Sequence, residues 1–255
     1  MSAIIIDGSL VHYETIGRGK PLIFLHGWLG SWRYWLGSME ELSPYFKTYA
    51  LDFWGFGDSD KVYERFTIGD YLKLLEEFIG NLGIARLHLV GHSLGAIVAV
   101  RFAAAYPEKV EKLVAVSLPI TGSSFNPLLL QKDRLVRLVP PEYPELQKEV
   151  QKASPKAVEQ SLWSVRELDL RLELLSLKVP TLIIYGEKDG LVSTNNLAAF
   201  KDFKAPLRFI VIPGARHFPM LEESSKFNRL LKEFMALGVD LDKLEIKQEW
   251  RRKMG

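Results

Sequence analysis

The sequence predicts an α/β fold, and three observations predict it. Short apolar or β-branched runs, each closed by Gly or Pro, alternate with stretches of helical periodicity. Several of these runs, such as "PLIFLHG" and "PTLIIYG", are continuously apolar, the pattern of strands buried on both faces of a sheet. The 255 residues, 47% of them hydrophobic, suffice for one substantial core with a small inserted lobe. A mostly parallel central sheet flanked by helices follows.

Taken in order, Ala3 to Asp7 and Leu10 to Thr15 read as a hairpin turned by "DGS", and "PLIFLHG" as a buried strand. "FKTYALDFWGFG" is a strand running into a glycine loop. Thr67 to Leu82 carries helical periodicity with Thr67 as N-cap, and "RLHLVGHS" is the next strand. Ala96, Val100, Ala103 and Ala104 recur at helical spacing; "VEKLVAVSLP", "VPTLIIYGEKDG" and "LRFIVIPGARH" complete the strands. From Pro119 to Lys178 the alternation stops. Only helical stretches stand there, "PLLLQKDRLVRLV" and "AVEQSLWSVRELDLRLELL", separated by "PPEYP" and "ASP". The predicted organisation is a core of 1–118 and 179–237, a short helical cap of 119–178 inserted before a later core strand, and a C-terminal extension of 238–255. No internal repeat or low-complexity tract interrupts it.

Composition narrows the function. Lys and Arg total 33 against 31 Asp and Glu, and no basic stripe with interleaved aromatics occurs, so nucleic-acid partners are set aside. There is no cysteine, hence no disulfide framework or thiolate metal site. The start "MSAIIIDGSLVHYE" lacks a basic n-region, and Arg101 interrupts the longest apolar run before the ~18 residues of a membrane span. A cytoplasmic protein is expected.

The informative stretch is "LHLVGHSLGAIVAVRFAAAYP", in which Ser93 stands between Gly91 and Gly95 where a strand gives way to a helix. Such an elbow strains the serine backbone and crowds its neighbours, so glycines two residues to either side fit a nucleophile. A tight turn with an incidental serine is the plainer reading. A nucleophilic serine needs a base and an acid to orient it. Of five histidines, His12 and His88 lie in predicted strands, and His26 and His92 in loops with other duties; His217 remains, in the loop between the last strand and last helix. Asp189 in "GEKDGLV" follows a strand and lies between Ser93 and His217 in chain order, with Glu187 its near competitor. "EKDG" is also good turn chemistry. Finally, "FLHGWLG" offers the Trp28 amide and the helix start the Leu94 amide, a pair of donors for an oxyanion.

With these residues in hand, the chain resembles the α/β-hydrolase superfamily from Ile4 to about Leu237. The matching motifs, in order, are "HGWLG", "LDFWGFGDSD", "GHSLG", "GEKDGLV" and "GARHFPMLEE". The resemblance implies Ser93 as nucleophile, His217 as general base and acid, Asp189 as its orienting carboxylate, and the Trp28 and Leu94 amides as the oxyanion hole. By the same likeness Asp52 and Ser59 shape a loop and take no chemical step. A serine at the elbow excludes haloalkane dehalogenases and epoxide hydrolases, which carry aspartate there. "HGWLGSWRYW" and "DLRLELLSLKVPTLIIYGEKDGLV" look similar to small bacterial carboxylesterases, including those that demethylate pimeloyl-carrier-protein methyl ester. The sequence departs from many relatives at Ala96, where they have glycine, and in its shorter insertion.

The expected activity is hydrolysis of carboxylic esters with apolar or aromatic groups, through an acyl-enzyme and with no cofactor or metal. The same triad also serves carbon–carbon bond hydrolysis, a lyase step or perhydrolysis, and the fold also serves as a small-molecule receptor. Trp28, Trp32, Trp35, Phe125, Leu128, Leu129, Leu138, Trp163 and Phe218 are pocket candidates, with Trp28 and Phe218 expected to face the cleft. Lys148, Lys152 and Lys156 recur at helical spacing among Glu145, Glu149 and Glu159, which reads as a solvated face before it reads as a dock for an acidic carrier. The tail reads as a docking helix, a frayed end or a second-subunit contact. A homodimer through cap or tail stays among the open assemblies.

Overall fold

The computed structural model describes residues 2–61, 64–126, 143–193, 206–236 and 240–247. The strands are β1 (Ser2–Ile6), β2 (Ser9–Gly17), β3 (Lys20–Leu25), β4 (Phe46–Leu51), β5 (Leu87–His92), β6 (Val110–Val116), β7 (Thr181–Gly186) and β8 (Leu207–Ile212). They form one eight-stranded sheet in the order β1-β2-β4-β3-β5-β6-β7-β8. Only the β1–β2 and β2–β4 pairings are antiparallel; every later pairing is parallel. The continuously apolar runs account for this. β5 and β7 are buried along their whole length, as strands covered on both faces must be.

The covering helices of the core are α1 (Leu36–Leu42), preceded by a 3-10 turn at Trp32–Trp35, then α2 (Ile68–Asn81) and α3 (Leu94–Ala105). Thr67 caps α2 as expected: its hydroxyl accepts from the Asp70 amide, and the Asp70 carboxylate accepts from the Thr67 amide, closing a capping box. α3 is buried along nearly its whole length, which the run of alanines permits by letting the sheet and α2 approach closely. The insertion between β6 and β7 contributes α4 (Pro144–Lys152), α5 (Pro155–Ser164) and α6 (Arg171–Ser176); α7 (Pro219–Glu222) and α8 (Ser224–Met235) follow β8.

Two expectations meet a different outcome, and the described part of the tail, 240–247, is placed. The stretch 157–175 reads as one helical run, but the chain breaks between α5 and α6. There Gly122 donates to Leu168 and Leu170 donates to Ile120, both at 2.8 Å, so pairing with a distant segment overrides local periodicity. Trp35 is fully buried against Phe24 and Phe227 and belongs to the core beneath α1, not to a pocket. Residues 240–247 fold back on their own chain. Leu244 is buried, its carbonyl accepts from Arg208 of β8 at 3.1 Å, and Lys247 pairs with Glu233 of α8 at 2.8 Å. The helical stretch 127–139, with Leu128, Leu129 and Leu138, lies outside the described residues. Among those described, no helix is long and apolar enough to cross a membrane.

Candidate active site

β5 ends at His92 and α3 begins at Leu94, leaving Ser93 as the whole of the turn. Its backbone sits at φ 52° and ψ −108°, a region sparsely populated by residues with a side chain and costing of the order of 1–3 kcal/mol. Two anchors hold it there: the Ser93 amide donates to Val116 at 2.8 Å, and the Ser93 carbonyl accepts from Ala96 and Ile97. The flanking glycines are required by crowding. A Cβ on Gly91 would lie 2.2 Å from the Gly95 carbonyl oxygen, and one on Gly95 would lie 2.4 Å from that of Leu25. The Ser93 hydroxyl is buried and has no hydrogen-bond partner among the described residues.

Asp189 follows β7 and His217 follows β8, at the same carboxyl end of the parallel strands as the elbow. His217 Nδ1 lies 2.9 and 3.1 Å from the two carboxylate oxygens of Asp189. Asp189 Oδ1 also accepts from the amides of Leu191 and Val192 at 2.9 and 3.1 Å. Burial pushes the Asp189 carboxyl up, but the His217 ring and these amides win and hold its pKa at about 2. The loops can meet because β7 ends in glycine: a Cβ on Gly186 would stand 1.9 Å from the Arg216 carbonyl oxygen. Main-chain bonds from Glu187 to Ile212 and from Lys188 to Ala215 close the seam. Asp189 and His217 thus touch directly. Ser93 is joined to them through its neighbour, since the His92 and His217 rings are 4.8 Å apart. Glu187, the rival acid, instead accepts from the Gly214 amide.

Trp28 and Leu94 approach the elbow from two sides. Leu94 opens α3, so its N–H has no carbonyl one turn back to donate to. Trp28 follows Gly27, whose carbonyl accepts from His26 Nδ1 at 2.7 Å and from the Gly30 amide at 3.1 Å. Because His26 Nε2 accepts from the Phe53 amide at 3.0 Å, the proton belongs on Nδ1. Burial keeps this imidazole's pKa below its usual value. His26 therefore braces the loop that presents Trp28, a role its place in "HG" does not announce.

Asp52 and Ser59 lie at the hub of the neighbouring loop. Asp52 accepts from the Trp32 amide at 2.6 Å and the Asp58 amide at 2.9 Å, and faces His12 Nδ1 at 3.1 Å. Ser59 donates to the Asp52 carbonyl and accepts from the His12 amide. Burial works against a charged His12, yet Asp52, Asp58 and Glu14 raise its pKa above the usual value. His12, Asp52 and Asp58 bring ligand-type atoms within 4.8 Å of one another, but hydrogen bonds within the chain engage them, and Arg33 and Lys152 pair with Asp58. No sequence signal joins His12 to Asp52, 40 residues apart.

A family model described as the alpha/beta hydrolase fold matches residues 20–156, more than half of the chain. The chain belongs to the α/β-hydrolase family. The pimeloyl-[acyl-carrier protein] methyl ester esterase of Vibrio campbellii is 26% identical over 255 residues, covering 89% of this chain and 98% of its own. Among solved structures, the enol-lactonase from Burkholderia xenovorans LB400 superposes with a TM-score of 0.80 at 19% identity, covering 91% of this chain and 99% of its own. A thermophilic esterase from Thermogutta terrifontis gives 0.78 at 22% identity, with 92% and 98% covered. These two likenesses describe the fold.

In this α/β-hydrolase the inserted helices bear on the core through one backbone approach, the Ser154 amide on the Gly55 carbonyl at 2.8 Å, and through side chains. Trp28 Nε1 donates to Ser161 of α5 at 2.9 Å, and the Trp28 ring packs on Phe125 at 5.2 Å. Arg33 and Lys152 each pair with both Asp58 and Glu149, so α4 is joined to two core loops by four charges. Lys156 of α5 pairs with Glu64. Two of the three regularly spaced lysines are therefore neutralised by this chain's own acids, against a docking face for an acidic carrier. Phe218 is buried against Tyr34, His92 and His217. Trp163 is 69% exposed, with Arg166 over its ring, and stands outside the buried aromatic set.

Proposed function

We propose that this α/β-hydrolase is a serine hydrolase of carboxylic esters, working through Ser93, His217 and Asp189. The carrying observation is the Asp189–His217 hydrogen bond at 2.9 Å, held at the carboxyl end of the strands where Ser93 is the strained strand-to-helix turn. Ser93 Oγ attacks the ester carbonyl while His217 Nε2 takes its proton, and the oxyanion rests on the Trp28 and Leu94 amides, the second reinforced by the N-terminal end of α3. Collapse expels the alcohol with the proton from His217; water, deprotonated by the same imidazole, then releases the acid and restores Ser93. In the present geometry the serine hydroxyl awaits its partner, as such contacts often tighten only around substrate. Asp189, ionised at every pH above about 4, keeps the His217 Nδ1 proton in place and stabilises the imidazolium formed in each half-reaction.

The substrate we infer carries apolar or aromatic groups. Trp28, Phe125 and Phe218 pack around the elbow; the cavity that reaches Asp189 sets Phe125, Leu191 and Val192 beside Ser124 and Asn126, and a second, beyond Tyr34, sets Trp32, Leu146 and Met220 beside Arg33 and Glu40. The division into a core of 1–118 and 179–237 and a cap of 119–178 follows, with α4 to α6 forming the roof. The curated relative acts on a pimeloyl-carrier methyl ester; the lysines engaged by Asp58, Glu149 and Glu64 favour a small free ester here. The test is hydrolysis of p-nitrophenyl esters from acetate to decanoate, with Ser93→Ala beside the native protein. Turnover absent from the mutant supports the reading, and the preferred chain length sizes the pocket. A folded native protein inert on the whole series would refute it and favour carbon–carbon cleavage or a lyase step.

A further inference from the structure

His92 closes β5 one residue before Ser93 and is 1% exposed. Its Nε2 lies 2.9 Å from the main-chain oxygen of His217, and the Ser117 hydroxyl, from the end of β6, donates to the same oxygen at 3.1 Å. A carbonyl only accepts, so the proton sits on Nε2 and Nδ1 keeps a lone pair. That Nδ1 has no partner among the described residues and faces Gly27, where an added Cβ would stand 2.6 Å away. The ring stacks at a tilt on His217, at 4.8 Å, and on Phe218, at 5.1 Å.

An unpartnered buried acceptor destabilises a fold, so shape alone does not call for histidine here; a phenylalanine would fill the space without a bare nitrogen. What the imidazole adds is its single donated proton, and that proton goes to the residue proposed as the base. We propose that His92 and Ser117 clamp the His217 carbonyl and so position its imidazole over Ser93, an inference that rests on the triad reading above. Asp189 fixes the ring of His217 at Nδ1; the clamp fixes its main chain. Because His92 shares a peptide bond with Ser93, one side chain ties the nucleophile's backbone to the base's backbone. Ser117 offers the second donor from a buried site of its own, at φ 48°, held there by its amide on the Ile184 carbonyl at 2.8 Å. His92 is a positioning residue: it touches His217 and not the reacting ester.

Three variants of the full chain test this. His92→Phe keeps a ring and loses the donor, His92→Gln returns a donor near Nε2, and Ser117→Ala removes the partner donor. Each is read by kcat and KM on p-nitrophenyl butyrate, by the rate of Ser93 labelling with a fluorophosphonate, and by thermal midpoint. A misplaced base lowers kcat, so His92→Phe should lose about 30-fold in kcat with KM within about twofold, and labelling should slow in parallel. His92→Gln should recover most of that loss, and Ser117→Ala should lose about threefold. A kcat for His92→Phe within about twofold of native overturns the clamp, as does a loss that His92→Gln fails to recover. If His92→Phe does not fold, Ser117→Ala decides, and an unchanged kcat there overturns it. A native protein that neither labels at Ser93 nor turns over esters refutes the triad and the clamp together; one that does both, with indifferent variants, refutes the clamp alone.

Discussion

At the carboxyl ends of the parallel strands, the segments that carry Ser93, Asp189 and His217 meet through their backbones. Gly91 and Gly95 are crowded by carbonyl oxygens, and Gly186 lies against the Arg216 carbonyl. At the inserted helices, the Ser154 amide also meets the Gly55 carbonyl at 2.8 Å and Ala157 packs on Gly55, but long side chains stand beside these approaches: Arg33 and Lys152 with Asp58 and Glu149, and Trp28 with Ser161. Backbone contact at van der Waals distance leaves no room to slide, whereas side-chain pairs break and reform with little cost to the sheet beneath. The difference teaches that Ser93, Asp189 and His217 sit in a frame of close backbone contacts, to which the covering helices add ties made by side chains.

The sharpest break of that frame is Asp189→Asn, which preserves shape and removes the charge that orients His217. Ester turnover should fall by about 10⁴-fold, and because the fold holds the Asp189 carboxyl pKa at about 2, the thermal midpoint near neutral pH should fall as well. Gly186→Ala attacks the frame sterically. Its Cβ would collide with the Arg216 carbonyl, parting the acid and base loops, and kcat should fall by about 10²-fold with a measurable loss in urea midpoint. Ser93→Gly relieves the positive φ that Ser93→Ala retains, so the glycine variant should be the more stable of these two inactive proteins, by about 1–3 kcal/mol in denaturant titrations. On the side-chain ties, Ser161→Ala leaves Trp28 Nε1 without its acceptor and should cost about 1–2 kcal/mol, with a change in tryptophan fluorescence.

The smallest effect is expected in acid. Burial raises the Asp58 carboxyl, but Lys152 and Arg33 hold its pKa at about 2, below the unfolded value near 3.9. A depressed folded pKa stabilises above the unfolded value and is lost as pH falls through the folded one. Asp58→Asn should therefore lower the urea midpoint at pH 6 and leave it unchanged near pH 1.5. High salt should shrink the pH 6 difference, since Asp58 is partly exposed.

The sheet was legible because its evidence is local: β5 and β7 announce themselves as uninterrupted apolar runs, and Thr67 with Asp70 spells a helix start. The elbow was legible for the same reason, its glycines lying two residues from Ser93. Asp189 and His217 could be singled out by chain order and strand ends, and they meet in the structure. What escaped the sequence depends on contacts between distant segments. Trp28 and Ser161 are 133 residues apart, and neither carries a pattern that names the other. The break after α5 is set by pairing with Ile120 and Gly122, which no helical periodicity registers. Trp35 looked like a pocket aromatic because "WRYW" reads alike whether a ring faces a cleft or the core.

Ser93 is 1% exposed, and that closure governs timing as well as shape. If Ser93 is the nucleophile proposed above, an ester reaches its hydroxyl only as the groups that bury it move aside, and substrate arrival becomes a gated event. After acylation the same closure stands between the acyl-serine and the solvent. The second nucleophile would then be drawn from the small molecules beside the acyl-serine, so an added alcohol would compete with water there. Alcohol added to the reaction should divert acyl groups into new esters, making the lining around Trp28 and Phe218 the arbiter between hydrolysis and exchange.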